Sequence, residues 1–229
     1  MALLVRSWNL YHGNASPPRR ASFLREMVEL ATADAPDVVC LQEVPVWAIA
    51  HLGSWSGMTV FPAIARRGLR PAWLAGRITR LHNGLLRSAI TGQANAILVR
   101  RAYESRDLGH EQVSGPGLER RVCQAVDVAA AGLVANTHLS GDGDDQQREL
   151  DRLVAFAESR ARPGEPVVLA GDLNVLDPQL EGYSSPGPGI DHVVVRGAPV
   201  GTLTVWPLER RVQNGIVLSD HAPVELLVG

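Results

Sequence analysis

The stretch PVVLAGDLN, Pro166 to Asn174, decides how this chain is read. Four apolar residues, Val167 to Ala170, run straight into a glycine and then into Asp172 and Asn174. A short apolar run closed by turn residues is a buried strand, and this one carries its polar groups at its end. The same form recurs outward in both directions. Asn9 follows ALLVRSW, Glu43 follows DVVCLQ and His138 follows GLVANT, while Asp191 precedes HVVV and Asp220 with His221 precedes APVELLV. If the first four strands point one way and the last two return antiparallel, all these groups gather on one edge.

The strands expected on this pattern are Ala2 to Trp8, Val38 to Gln42, Asn95 to Val99, Arg121 to Val128, Gly132 to Thr137, Val167 to Ala170, His192 to Val195 and Val224 to Val228. Helical spacing of apolar residues marks Arg20 to Thr32 and Gln146 to Arg160, and a third, glycine-interrupted pattern runs from Pro71 to Arg87. Gly182 to Gly189 reads as a rigid loop. Strands and helices mix without strict alternation, which suits an α/β (α+β) sandwich of mixed sheets better than a doubly wound parallel sheet.

At 229 residues, with 45% hydrophobic and 20% charged, the chain is expected to form one globular domain over residues 1–229. Disorder and fibrous classes are excluded. No apolar run approaches the roughly 18 residues of a membrane-spanning helix, and MALLV followed by Arg6 is too short for a secretory signal, so a cytoplasmic monomer is expected. Cys40 and Cys123 sit inside apolar strands, so neither a disulfide nor a cysteine zinc site is expected. The net charge of −2 argues against a nucleic-acid coat protein, yet Val44 to Tyr103 holds eight arginines and no Asp or Glu.

Carboxylates and amides at strand ends suit phosphate-ester hydrolysis assisted by a hard cation. Mg²⁺ takes oxygen ligands and keeps several waters, which makes Asn9, Glu43 and Asp220 candidate metal ligands, with Mn²⁺ as a possible substitute. Asp172 can orient or deprotonate water, and Asn174, on the same side of an extended segment, can donate to phosphate. His138 and His221 can donate to phosphoryl oxygens, and an acidic neighbour such as Asp191 keeps a histidine protonated.

The blocks SWNLYHG, VVCLQEV, ANAILVRR, NTHLS, VVLAGDLN, IDHVVV and LSDHAPV, in this order over residues 5–228, resemble the endonuclease/exonuclease/phosphatase (DNase I-like) superfamily. The resemblance implies a four-layer α/β sandwich of two mixed sheets with outer helices. It also implies that Asn9 and Glu43 bind metal, Asp172 and Asn174 position water and phosphate, Asp191 pairs with His221, Asp220 assists, and His138 contacts phosphate. The chain departs from the pattern in two places. Tyr11 stands where some abasic-site repair members carry Asp. No acid lies between Glu43 and Glu104 to serve as the glutamate that pairs the first histidine in pancreatic-type nucleases, so His138 must find another partner or none.

The substrate expected is nucleic acid, because Arg meets backbone phosphates. Asn95, Arg70, Arg77, Arg80 and Arg87 are the candidates for substrate contact. The alternative is a lipid or small-molecule phosphoester, of the sphingomyelinase-like or inositol-phosphate type.

Overall fold

A computed structural model of the chain describes residues 2–68, 72–81, 83, 90–141, 143–184 and 187–229. Two mixed sheets stack face to face. The first is built from β1 (Leu3–Asn9), β3 (Val38–Val44), β4 (Thr59–Arg66), β5 (Gln93–Val99), β11 (Thr204–Val205) and β14 (Val224–Val228), in the order β11-β14-β1-β3-β5-β4. The second holds β6 (Ser105–Gln112), β7 (Val122–Val128), β8 (Gly132–His138), β9 (Val167–Asp172) and β10 (Asp191–Arg196), in the order β10-β9-β8-β7-β6. A small third sheet joins β2 (Ala15–Ser16), β12 (Val212–Gln213) and β13 (Ile216–Leu218). Each main sheet has one parallel pair, β1 with β3 and β8 with β9, and antiparallel neighbours elsewhere. β14 and β10 are the returning strands, so the expected convergence of polar strand ends on one edge is what the topology produces.

Alternation of side chains divides the apolar residues into three layers of core. Leu3, Val5, Val38 and Cys40 of the first sheet face Val134, Val168, Ala170 and Val193 of the second. The outer face of the first sheet packs Val39, Leu41 and Leu98 against α1 (Leu24–Thr32) and α2 (Ile49–Ser56). The outer face of the second packs Leu133, Ala135 and Leu169 against α4 (Gly143–Arg160), which buries Leu150, Leu153, Phe156 and Ala157. Helix, sheet, sheet, helix is the expected four-layer sandwich, and each fully buried Val or Leu contributes roughly 1.5–3 kcal/mol to it.

A polar seam sets the register between the sheets just beneath the converging strand ends. Gln42 Nε2 donates to Ser7 Oγ at 3.0 Å and to Asn136 Oδ1 at 2.8 Å, while Asn136 Nδ2 donates to the carbonyls of Leu41 and Ala96 at 3.0 and 3.1 Å. A sliding of one sheet over the other would strand these buried amides without partners, which costs about 1–3 kcal/mol per group.

The elements differ from expectation in instructive ways. α1 begins at Leu24 and not Arg20, because the Arg20 carbonyl accepts from the Asn83 N–H and the Phe23 N–H donates to Gly13. α2, β4 and β6 were not expected. β4 and β6 are the edge strands of the two sheets, and they carry Pro62 and the polar run SRDLGHEQ that edges tolerate. α3 (Ala72–Leu81) covers part of the third helical pattern; of the remainder only Asn83 is among the described residues, and Arg70 and Arg87 lie outside them.

Candidate active site

Asp191, Asp172 and His138 are register partners across β10, β9 and β8, so their side chains stand side by side on the inner face. Asn9 ends β1 on the inner parity set by Leu3, Val5 and Ser7. Glu43 would point outward by simple alternation, since Val39 and Leu41 do. A bulge between Leu41 and Val44 breaks the alternation: Glu43 takes a left-handed backbone, φ 53°, and Val44 recovers the outer face. A one-residue slip in a strand re-aims a side chain in this way. Gly171, at φ 146°, has no room for a side chain, because a Cβ there would lie 2.0 Å from the Thr137 carbonyl oxygen. The close approach of β9 to β8 that seats Asp172 beside His138 depends on that glycine.

Asp172 is the hub. Its Oδ2 accepts from Asn9 Nδ2 at 2.9 Å and its Oδ1 from the Asn174 backbone N–H at 3.1 Å. His138 Nε2 and His221 Nε2 lie 3.5 and 3.8 Å from the same Oδ2. Burial and the charge of Asp191 push the Asp172 carboxyl up to about 6, against the lowering influence of His221, Asn9 and Asn174. Asn174 itself departs from expectation. It is not on an extended segment: β9 ends at Asp172, Asn174 turns left-handed at φ 54°, and its Nδ2 donates to the Leu139 carbonyl at 2.8 Å.

His221 Nδ1 sits 2.7 Å from Asp191 Oδ2. Burial alone would push its imidazolium down, but the hydrogen bond and charge of Asp191, with the charges of Asp172 and Asp220, outweigh that and raise it to about 9. The loop that carries it is stapled to β1: Ser219 Oγ donates to the Asn9 carbonyl at 2.7 Å, and Trp8 Nε1 donates to the His221 carbonyl at 3.0 Å. Asp220 is exposed beside a groove of about 330 Å³ whose walls include Pro188, Ile190, Val205, His221 and Ala222.

His138 is surrounded differently. Its Nδ1 faces Gln93 Nε2 and Arg121 Nη1, each at 3.1 Å. Burial, reinforced by the charges of Arg121, His221 and His12, holds it well below the ordinary imidazole pKa. Glu43 lies 3.9 Å from His138 Nδ1 and 3.4 Å from His12 Nε2. Burial and the charge of Asp172 lift its carboxyl to about 7, with Asp220 adding to the effect and His221 and Asn9 opposing it.

The donor set fits a hard divalent cation. Burial lifts Glu43 and Asp172, the charges of Asp172 and Asp220 add to it at Glu43 and that of Asp191 at Asp172, and an added positive charge would offset both effects. Asp172, Asp191 and His221 each bring a potential ligand atom within 4.8 Å of the others. The protonated, Asp191-bound His221 has no lone pair to offer, so Glu43 and Asn9 are the better-placed oxygen donors.

Residues 7–221 match the Endonuclease/Exonuclease/phosphatase family. The chain belongs to this family. Its members hydrolyse phosphoesters. No curated protein matches the chain significantly. Among solved structures it is similar to an endonuclease/exonuclease/phosphatase from Beutenbergia cavernae, 20% identical with a TM-score of 0.71 over 99% of this chain and 71% of that one. It is similar also to D. rerio TDP2 humanized by 14 mutations, 15% identical with a TM-score of 0.67 over 100% and 99%. A mannosyl-6-phosphatase from Bacteroides thetaiotaomicron is 16% identical, with a TM-score of 0.62 over 99% and 100%. These likenesses establish the endonuclease/exonuclease/phosphatase sandwich as the fold. Among the described residues no helix is long and apolar enough to cross a membrane.

The site therefore gathers Asn9, Glu43, His138, Asp172, Asn174, Asp191, Asp220 and His221. Asn95 is not part of it: it is buried between the sheets, where its Nδ2 donates to the Val122 carbonyl at 3.0 Å. His192 faces away and meets the Val175 carbonyl. Arg77 is exposed on α3, and the side chain of Arg80 lies outside the described residues, as Arg70 and Arg87 do. The two residues that sequence reasoning missed are Gln93 and Arg121. Each begins or just precedes a strand antiparallel to one that ends in a site residue, β5 against β3 and β7 against β8. Reading those hairpin partners backwards from Glu43 and His138 would have found them.

Proposed function

We propose that the chain is a divalent-metal-assisted phosphodiesterase that cleaves nucleic acid by direct attack of water. The observation that carries the reading is Asp172, held at both oxygens by Asn9 and Asn174 while the Nε2 atoms of two histidines face one of them. A carboxylate lifted toward neutrality and locked in one orientation is suited to take a proton from water. His221, kept charged by Asp191, can give a hydrogen bond to a phosphoryl oxygen and a proton toward the departing oxygen. His138 offers a second donor from the opposite side. A hard cation such as Mg²⁺, held by Glu43 and Asn9 with Asp220 nearby, would supply charge neutralisation at the phosphoryl oxygen. The groove beside His221 has room for the group attached to the phosphate.

Nucleic acid is favoured over other phosphoesters by the placement of the acid-free segment. Arg66, exposed, is the register partner of Gln93, whose amide touches His138, and exposed Arg67 follows it. Backbone phosphates flanking a scissile bond would meet these cations.

The test is to incubate wild type and Asp172→Ala with supercoiled plasmid, and in parallel with a generic aryl phosphodiester, in Mg²⁺, Mn²⁺ or EDTA. Nicking that requires both metal and Asp172 is expected. Aryl ester cleavage without nicking would move the substrate to lipids or small molecules, and undiminished turnover in Asp172→Ala would overturn the mechanism.

A further inference from the structure

The nearest carboxylate to His138 Nδ1, that of Glu43, stands 3.9 Å away, beyond hydrogen-bonding reach, and two donors lie closer. Gln93 Nε2 and Arg121 Nη1 both lie 3.1 Å from Nδ1. The glutamine could in principle turn its amide over and accept a proton from the ring. The arginine has no such freedom, because a guanidinium carries only donors. Nδ1 must therefore present its lone pair, and with the arginine facing that lone pair, the glutamine is held with its NH₂ group toward the ring as well. The proton is left on Nε2, the atom that lies 3.5 Å from Asp172 Oδ2.

We propose that Gln93 and Arg121 are positioning residues that fix His138 as a neutral ring with its single proton on Nε2, directed at the phosphoryl group bound beside Asp172. This deepens the phosphoesterase reading and, as far as catalysis is concerned, rests on it. The placement suits the assignment. Gln93 opens β5 in the first sheet, Arg121 immediately precedes β7 in the second, and His138 closes β8, so the ring is gripped by both halves of the sandwich. Arg121 is itself anchored, its backbone N–H to Ser114 Oγ at 2.9 Å and its Nη2 to Glu119 at 3.2 Å. Both residues act through the orientation and tautomer of His138, as a partner on the far nitrogen of an imidazole does.

Long-range ¹⁵N–¹H NMR correlation of the whole chain near neutral pH reads the tautomer directly and needs no substrate. Wild-type His138 is expected to show one species protonated on Nε2 alone. Arg121→Met should release the constraint and give a mixture of tautomers, Arg121→Lys should restore the wild-type pattern, and Arg121→Met combined with Gln93→Glu should move the proton to Nδ1. With phosphodiester as substrate, Arg121→Met should lower kcat by up to about tenfold, the low end of the range for loss of a partner that orients a site imidazole, with KM changed less and Arg121→Lys recovering most of the loss. A wild-type ring protonated on Nδ1, or on both nitrogens, overturns the proposal. So does a pure Nε2–H ring that persists unchanged in Arg121→Met and in Gln93→Leu. An Nε2–H ring that responds to the variants in a chain without phosphoesterase activity would uphold the tautomer assignment and overturn the function assigned to the site.

Discussion

His221 and His138 both reach the candidate site and each bridges the sandwich. His221 comes from the loop before β14 in the first sheet and meets Asp191 of the second, whereas His138 ends β8 in the second sheet and meets Gln93 of the first, with Arg121 beside it. The rings are alike and the partners are opposite. Asp191 accepts, so His221 is held as an imidazolium raised to about 9. Gln93 and Arg121 face the Nδ1 of His138 instead, and burial, reinforced by the charge of Arg121, holds that ring well below the ordinary imidazole pKa. A histidine's place in a fold thus leaves its chemistry open until the group on its far nitrogen is known.

The largest effects should separate these two rings. His221→Gln keeps a hydrogen-bond donor but loses the transferable proton, and kcat should fall about 10²–10⁴-fold, the usual contribution of general acid–base catalysis. His138→Gln replaces a neutral N–H donor with another and should cost on the order of tenfold. Steady-state kinetics on one phosphodiester at saturating Mg²⁺ compare them, and equal losses would dissolve the distinction. Asp191→Asn should resemble His221→Gln, because the amide no longer holds the imidazolium charged.

The next effect concerns a carboxylate beside His138. Glu43 lies within 4 Å of both His12 and His138 and is lifted to about 7 in the absence of a cation. Glu43→Gln should raise the Mg²⁺ concentration for half-maximal rate by roughly 10- to 100-fold while sparing the maximal rate more than either histidine variant does. A metal titration of activity measures this, and an unchanged requirement would place the ligand elsewhere.

How much of this site was readable beforehand follows from the same contrast. Asn9, His138, Asp172 and Asp191 stand at the ends of short, largely continuous apolar runs, and such runs are visible one strand at a time. Glu43 was found as a strand-end charge, but the bulge that turns it inward is not a sequence pattern, since Gln42-Glu43 reads as an ordinary strand end. Gln93 and Arg121 were invisible for another reason. Their importance lies in register across two antiparallel pairs, and no local periodicity carries register. The edge strands β4 and β6 were missed because edges are allowed proline and charge, which erase the apolar signal. Asn174 was misplaced because extended spacing was assumed through a residue whose backbone turns left-handed.

The smallest effect comes from a charge cluster away from the site. Arg6, fully buried on the outer face of β1, donates to Asp34 at 2.7 and 2.8 Å and to Glu225 at 3.0 and 2.5 Å, and it stacks on Trp206 with its guanidinium carbon 4.5 Å from the ring centre. The hydrogen bond from Arg6 holds the Asp34 carboxyl below its ordinary range. Burial would raise Glu225, but hydrogen bonds from Trp206 and Arg6 outweigh it and lower that group too. Carboxylates depressed in the folded state stabilise the protein above the pKa they have when unfolded, and that stability is lost as pH falls through roughly 4 toward the folded values. Wild type should therefore lose thermal stability steeply below about pH 4. Arg6→Met should start about 1–3 kcal/mol less stable at pH 7 and fall off less steeply, because its carboxylates, left with Arg210 at 2.6 Å from Asp34 and 3.1 Å from Glu225, have less depression to lose. Melting curves from pH 7 to 3 compare the slopes. Parallel slopes would mean that the acid sensitivity arises elsewhere.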